Sequence, residues 1–359
     1  MKSFLILEDG QVFIGESFGA KKDVVCEVVF NTAMTGYLEM LTDPSYVGEG
    51  VVMTYPLVGN YGINLEDCES DRAWPEALII KELSECPSNF RSKGTLEEYL
   101  IAQGIPGIQG IDTRALTRKL RNHGVMNAVL TTDEDFDLDA CVAKAKAYTV
   151  GDVVSKASCK EITHYPGSGH RVAVVDFGQK KSMVEALINR DCDVTVYPCF
   201  ADPEQIIASK PDGIFLSNGP GDPKECGDII RNIKKLYDSD IPIFAICLGH
   251  QLLALAVGGD TQKMKYGHHG DNHPVRDVKT GKVYITSQNH GYVVVAEAFA
   301  PDVAEITHVN VNDGTCEGVR YLNKNVFSVQ FHPEASPGPL DTASIFDDFI
   351  TLMEGIKHA

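Results

Sequence analysis

A cysteine, a histidine and a glutamate, distant in the chain, have the types and settings that nucleophilic catalysis requires. Cys247 follows the apolar, strand-length run Ile241-Pro242-Ile243-Phe244-Ala245-Ile246. Leu248-Gly249-His250-Gln251 comes next, and Leu252 to Val257 read as an apolar helix ended by Gly258-Gly259. A nucleophile on such a strand-to-helix turn is expected to be exposed, and the next backbone N–H and the helix N-terminus favour negative charge there. Ala245 and Gly249 are small enough for a tight crossing. A sulfur nucleophile needs a base, a group that orients the base, and donors for the developing oxyanion. His332 ends the strand-like run Val326–Phe331, in the proline-stiffened segment Phe331-His332-Pro333-Glu334-Ala335-Ser336-Pro337. Glu334 is placed to bond the far ring nitrogen and hold one tautomer. Leu216-Ser217-Asn218-Gly219-Pro220-Gly221-Asp222-Pro223 directly follows another strand, and its glycines let backbone N–H groups approach a ligand. The N–H of Leu248 and a glycine N–H of this loop are the expected oxyanion donors. Taken singly, the three features also read as a core thiol, a loop histidine and an ordinary tight turn.

The elements that must position these residues alternate. Val172–Phe177, Val194–Tyr197 and Gly213–Leu216 read as strands. Ser182–Arg190, Pro203–Ser209 and Asp228–Tyr237 read as helices. Such alternation predicts an α/β domain with a mostly parallel sheet flanked by helices, its ligands bound at the carboxyl ends of the strands. Residues 261–331 are richer in strands, with Val283–Thr286 and Val326–Phe331 the clearest, and a last helix closes the domain. The first 150 residues differ. Phe4–Leu7, Val12–Ile14, Val24–Phe30 and Val51–Thr54 read as strands, and Thr95–Ala102 and Thr113–Arg121 as helices. This part is expected to be a β-rich α+β domain. The expected organisation is therefore 1–150, a linker at 151–170 marked by Tyr165-Pro166-Gly167-Ser168-Gly169, and 171–359.

Bulk properties narrow the class. The chain has 359 residues, 43% hydrophobic and 23% charged, which suits two soluble domains. A net charge of -18 argues against a nucleic-acid surface. The ten cysteines form no CxxC pair, so neither a zinc ribbon nor a thioredoxin-type motif is supported. The N-terminus meets Glu8 and Asp9 too soon for a secretory signal, and no apolar run approaches a membrane span. A cytoplasmic location with reduced thiols is expected.

In their order and setting, Gly219-Pro220-Gly221-Asp222-Pro223, Cys247-Leu248-Gly249-His250-Gln251 and His332-Pro333-Glu334 resemble the class I, triad-type glutamine amidotransferases. The resemblance implies that Cys247 is the nucleophile, His332 the general base and acid, and Glu334 its orienter. The cysteine of that family attacks the glutamine side-chain amide, ammonia leaves, and water releases glutamate. Asn31-Thr32-Ala33-Met34-Thr35-Gly36-Tyr37, Thr42-Asp43-Pro44-Ser45-Tyr46, Ser88-Asn89-Phe90-Arg91 and Gly110-Ile111-Asp112-Thr113-Arg114-Ala115-Leu116-Thr117-Arg118 are similar to the small, glutamine-hydrolysing subunits of carbamoyl-phosphate synthetases. So are Gly267-His268-His269-Gly270-Asp271-Asn272-His273-Pro274 and Gln288-Asn289-His290-Gly291-Tyr292. That likeness implies that Ser45, Gly219, Gly221, Leu248, Gln251, Asn289, Gly291 and Tyr292 hold L-glutamine, Tyr292 through its backbone.

The resemblance also implies a partner. No GxxxxGK[ST] run is present, so no nucleotide cofactor is expected in this chain. Ammonia released into water becomes ammonium and loses its nucleophilic lone pair. In the resembled system a large subunit binds ATP and Mg2+, takes ammonia through a tunnel and makes carbamoyl phosphate from bicarbonate for arginine and pyrimidine synthesis. The implied assembly is a heterodimer that joins larger oligomers. Arg114, Arg118, Lys119 and Arg121 form a basic helix that reads as a solvated face or as a docking face for an acidic partner. His268, His269, Asp271 and His273 fit no standard zinc spacing, and a structured loop without metal is the preferred reading. Two other functions remain open: an amidotransferase serving another synthase of the anthranilate synthase type, and a non-catalytic regulatory subunit.

Overall fold

The computed structural model describes residues 1–357 and divides into two units. The first comprises Met1–Gly151 and Lys265–Gly270, the second Asp152–Met264 and the residues from Asp271 onward.

The first unit is built on a closed barrel. Its strands run in the order Lys2–Leu7, Val12–Gly19, Pro106–Gln109, Ala77–Ile79, Glu49–Met53, Val24–Asn31 and Met126–Thr131. The last pairs back onto the first, with Leu5 opposite Leu130, so these strands have no open edge. Leu5, Leu7, Cys26, Val28, Val52, Ile79 and Ile108 fill a shared core against Leu116 and Leu120 of the helix Thr113–His123. The helix Leu96–Gln103 starts where the sequence sets a capping box, Thr95 and Glu98 each bonding the other's backbone N–H. The four strands expected from sequence form. Ala77–Ile79 and Pro106–Gln109, three and four residues long, carry too few residues to show a period.

The second unit is a ten-stranded mixed sheet. Five parallel strands form its centre in the order Asp193–Pro198, Arg171–Asp176, Gly213–Leu216, Ile243–Ile246 and Val326–Val329. Cys316–Tyr321, Ala304–Asn310, Asp260–Asp277 and Val283–Val295 extend it on one side. Successive residues of a strand point to opposite faces, and each face has its own core. Ala173 and Val175 pack with the helices Gly227–Asp238 and Leu248–Ala256. Val172 and Val174 pack with Met183, Val184 and Leu187 of Lys181–Ile188 and with Phe346 and Phe349 of the last helix.

Three expectations are corrected. Residues 152–170 are not a linker, because Val154 is buried in a core of the second unit and Thr163–Tyr165 pairs with Asp193–Pro198. The helix after Cys247 begins at Leu248, not Leu252. His268, His269, Asp271 and His273 lie along the strand Asp260–Asp277, not in a loop. All ten cysteines are free thiols. No helix among the described residues is long and apolar enough to cross a membrane.

Candidate active site

Cys247 sits between the strand Ile243–Ile246 and the helix Leu248–Ala256, at φ 53° and ψ -108°. A side chain at positive φ is sterically unfavourable, by about 1–3 kcal/mol, and such strain gathers where function fixes a geometry. The turn holds because its neighbours make room. A Cβ at Gly249 would stand 2.5 Å from the Leu216 carbonyl oxygen, so only glycine lets the helix start so close to the end of Gly213–Leu216. Cys247 N–H donates to Val329 O at 3.0 Å and Gly249 N–H to Ser217 O at 2.9 Å, tying the turn to two neighbouring strand ends. The thiol is not exposed as the turn alone suggested. Cys247 is only 2% accessible, with Sγ 3.6 Å from the Asn289 carbonyl oxygen.

The parallel register brings His332 to the same place. Ile243 lies beside Val326 and Ile246 beside Val329, so both strands deliver their carboxyl ends together. Beyond the second strand, His332 N–H donates to Ser287 O at 2.9 Å, which fixes the turn against the strand Val283–Val295. Glu334 Oε1 accepts from His332 Nδ1 at 2.7 Å, leaving Nε2 for another partner. Nε2 is buried without a hydrogen bond of standard geometry, and the Cys247 sulfur is close enough to act on the ring. Burial lowers the His332 pKa. The attraction of Glu334 and of the Cys247 sulfur outweighs it, and the net direction is upward.

Glu334 has a partner that the sequence reading missed. Lys180 Nζ donates to Glu334 Oε1 at 2.9 Å, with the two side chains 3% and 1% accessible. Burial disfavours the Glu334 charge, but Lys180 and His332 outweigh it and hold its pKa below the usual carboxylate range. Lys180 also donates to the Ala335 carbonyl. The available signal was its position four residues after the strand Arg171–Asp176, at the same sheet end as the other groups.

The glycine loop lies over the start of the helix. A Cβ at Gly219 would come within 2.4 Å of the Phe177 carbonyl oxygen and 2.8 Å of Leu248 Cδ2. Gly221 has φ 91°, which favours glycine. The backbone N–H groups of Gly219, Gly221 and Leu248 donate to no acceptor among the described residues, so all three remain available to an anion. Asn289, Gly291 and Tyr292 lie on the strand Val283–Val295, where the Tyr292 carbonyl accepts from Gln251 Nε2 at 2.9 Å. The second unit thus supplies Cys247, His332, Glu334, Gly219, Gly221, Leu248, Gln251, Asn289, Gly291 and Tyr292. Ser45 belongs to the first unit, buried in the turn Pro44–Tyr46 with its N–H held by Asp43 Oδ1 at 2.9 Å. His250 is a core residue. It is fully buried against Ser328 Oγ at 2.7 Å, and burial alone pushes its pKa down to about 3, so it stays neutral.

Comparison with known proteins agrees with this geometry. Residues 173–352 match the model for "Glutamine amidotransferase class-I". Residues 5–130 match "Carbamoyl-phosphate synthase small chain, CPSase domain". The chain is 50% identical over 356 residues to the carbamoyl phosphate synthase small chain of Bacillus caldolyticus, covering 98% of this chain and 97% of that one. It is 51% identical over 350 residues to the protein of that name from Clostridium perfringens, covering 98% and 99%. With both halves matched and nearly the full length shared, the chain belongs to the carbamoyl-phosphate synthase small chain family.

Proposed function

We propose that this chain is the glutaminase subunit of a glutamine-hydrolysing carbamoyl-phosphate synthase. The observation that carries the reading is the buried series Lys180–Glu334–His332–Cys247 beside three uncommitted backbone N–H groups.

The chemistry follows from that geometry. With Glu334 on Nδ1, His332 takes the thiol proton at Nε2 and pairs with the sulfur anion. The sulfur attacks the γ-amide carbon of L-glutamine, and the carbonyl oxygen takes up negative charge. The N–H groups of Leu248 and of the Gly219–Gly221 loop are placed to stabilise it, an effect commonly worth roughly 100-fold or more in rate per donor. His332 returns its proton to the amide nitrogen, the C–N bond breaks, and ammonia leaves a γ-glutamyl thioester. Water then loses a proton to His332 and adds to the thioester carbon, the C–S bond breaks, and the proton returns to the Cys247 sulfur, so glutamine and water become glutamate and ammonia. Gln251, Asn289, Gly291 and Tyr292 complete the part of the glutamine site that the second unit supplies in this reading. The roles can be ranked. His332→Asn removes the proton carrier, whereas Glu334→Ala removes only its orienter. Steady-state kinetics should therefore show the larger fall in kcat for His332→Asn. The opposite order would reverse the role assignment.

Ammonia is of use only to a partner that consumes it before it is protonated in bulk water. We infer that the partner is the large chain of the synthase, binding ATP and Mg2+ and making carbamoyl phosphate from bicarbonate. A heterodimer, with higher oligomers, in the cytoplasm completes the reading. Arg114, Arg118 and Arg121 support it. All three are exposed, recur at helical spacing on Thr113–His123, and have no ion pair among the described residues of an acidic protein. Arg114 in the first turn opposes the helix dipole and lies four residues from Arg118, so the helix's own stability does not account for that pair, whereas Arg121 in the last turn suits the dipole. Reversing all three to Glu should lower affinity for the large chain by roughly 10-fold or more and flatten its salt dependence. Unchanged affinity at every ionic strength would exclude this face from the contact.

A further inference from the structure

The same site contains a residue that none of the assignments above uses. Gln330 lies between the strand Val326–Val329 and His332 and is fully buried. Its Oε1 accepts from Gln251 Nε2 at 3.0 Å. The other contact of that nitrogen is the Tyr292 carbonyl at 2.9 Å, and a carbonyl oxygen can only accept. The Tyr292 carbonyl therefore fixes which end of the Gln251 amide is nitrogen. That nitrogen in turn fixes the atom of Gln330 facing it as oxygen.

We infer that Gln330 is a positioning residue that sets the Gln251 amide for recognition of the free amino acid. The inference rests on the glutaminase reading and deepens it. An amide nitrogen has two hydrogens. Tyr292 takes one and Gln330 the other, which leaves Gln251 Oε1 as the group free to meet a ligand. That oxygen takes no hydrogen bond among the described residues. Gln251 can then meet a donor but not a carboxylate. A glutamine substrate offers two donors, its α-ammonium and its side-chain amide.

The helix distinguishes them. Gln251 follows Cys247 by four residues, and its N–H bonds the Cys247 carbonyl, so Gln251 stands one turn along the helix from the residue that caps it. One turn rises about 5.4 Å. The scissile carbon must sit at the sulfur, and the α-nitrogen of glutamine lies four bonds from that carbon, a comparable span. The acceptor oxygen of Gln251 thus matches the α-ammonium. Without Gln330 the amide is held by one bond, loses its fixed plane and is free to present N–H instead.

The test compares Gln330→Met and Gln330→Asn with the native chain, each in complex with the large chain. Met keeps the volume and removes the acceptor, and Asn keeps the amide and withdraws it by one methylene. Both should raise KM for L-glutamine by roughly 10-fold or more, with kcat within about threefold, as expected for a lost contact to a charged group. With 4-carbamoylbutanoate, which lacks the α-ammonium, the same variants should change kcat/KM by less than about threefold. Adding Gln330→Met to Gln251→Met should cost nothing further, because one residue acts through the other. Equal losses on both substrates, or additive losses in the double variant, would reduce Gln330 to a packing residue. A native complex inactive on L-glutamine would instead overturn the glutaminase reading itself.

Discussion

Cys247→Ser should reduce glutamine-dependent turnover by roughly 1,000-fold or more, the scale seen when a covalent nucleophile is removed. Serine fits the 2% accessible site, so the fold and the partner contact should persist. The hydroxyl lacks the acidity that lets His332 hold the proton before attack. The decisive comparison is within one preparation. Carbamoyl phosphate formation from added ammonium salt should continue at the native rate, and formation from glutamine should stop. Loss of both would indicate a damaged complex and not a missing nucleophile. Retention of both would remove Cys247 from the chemistry.

Lys180→Met should produce the largest loss of stability among changes at this site. The side chains of Lys180 and Glu334 are 3% and 1% accessible, so water screens their attraction little. Removing Lys180 leaves the buried Glu334 carboxylate with only His332 opposite it, at a cost approaching the roughly 3–5 kcal/mol of a fully unpaired buried charge. The pH dependence follows from the direction of the Glu334 shift. Its folded pKa is depressed, so its contribution is present above the ordinary carboxylate value of about 4.3 and lost as pH falls through the folded pKa. Denaturant unfolding should therefore show a wide gap between native and variant near pH 7, narrowing below about pH 4. The raised pKa of His332 works the other way. Its contribution is complete below about 6.5 and fades as pH rises through the folded value. A gap independent of pH would mean that Lys180 supports the fold by packing alone.

Cys247, His332 and Glu334 were legible in the sequence because each is bound covalently to an apolar run whose length marks a strand end. Chain order then placed two such ends in one parallel sheet. Lys180 was not legible. In Gln179-Lys180-Lys181 it looks like ordinary surface charge, and lysine is seldom fully buried without a partner. Its partner is 154 residues away, a contact that no local pattern reports. Gln330 was hidden for the same reason, since its meaning depends on Gln251 and Tyr292 on other elements. The helix start at Leu248 was misplaced because Gly249 is a poor helix former. The 2.5 Å approach of its missing Cβ to Leu216 shows why glycine is nonetheless required. Closure of the barrel escaped too, because pairing Leu5 with Leu130 joins the two ends of the unit.

The most direct measurement is mass spectrometry of the complex, acid-quenched during glutamine turnover and digested with protease. A γ-glutamyl group is expected on the peptide containing Cys247, absent without glutamine and absent from Cys247→Ser. An unmodified Cys247 peptide while glutamate is being formed, under conditions that preserve a synthetic thioester, would contradict it.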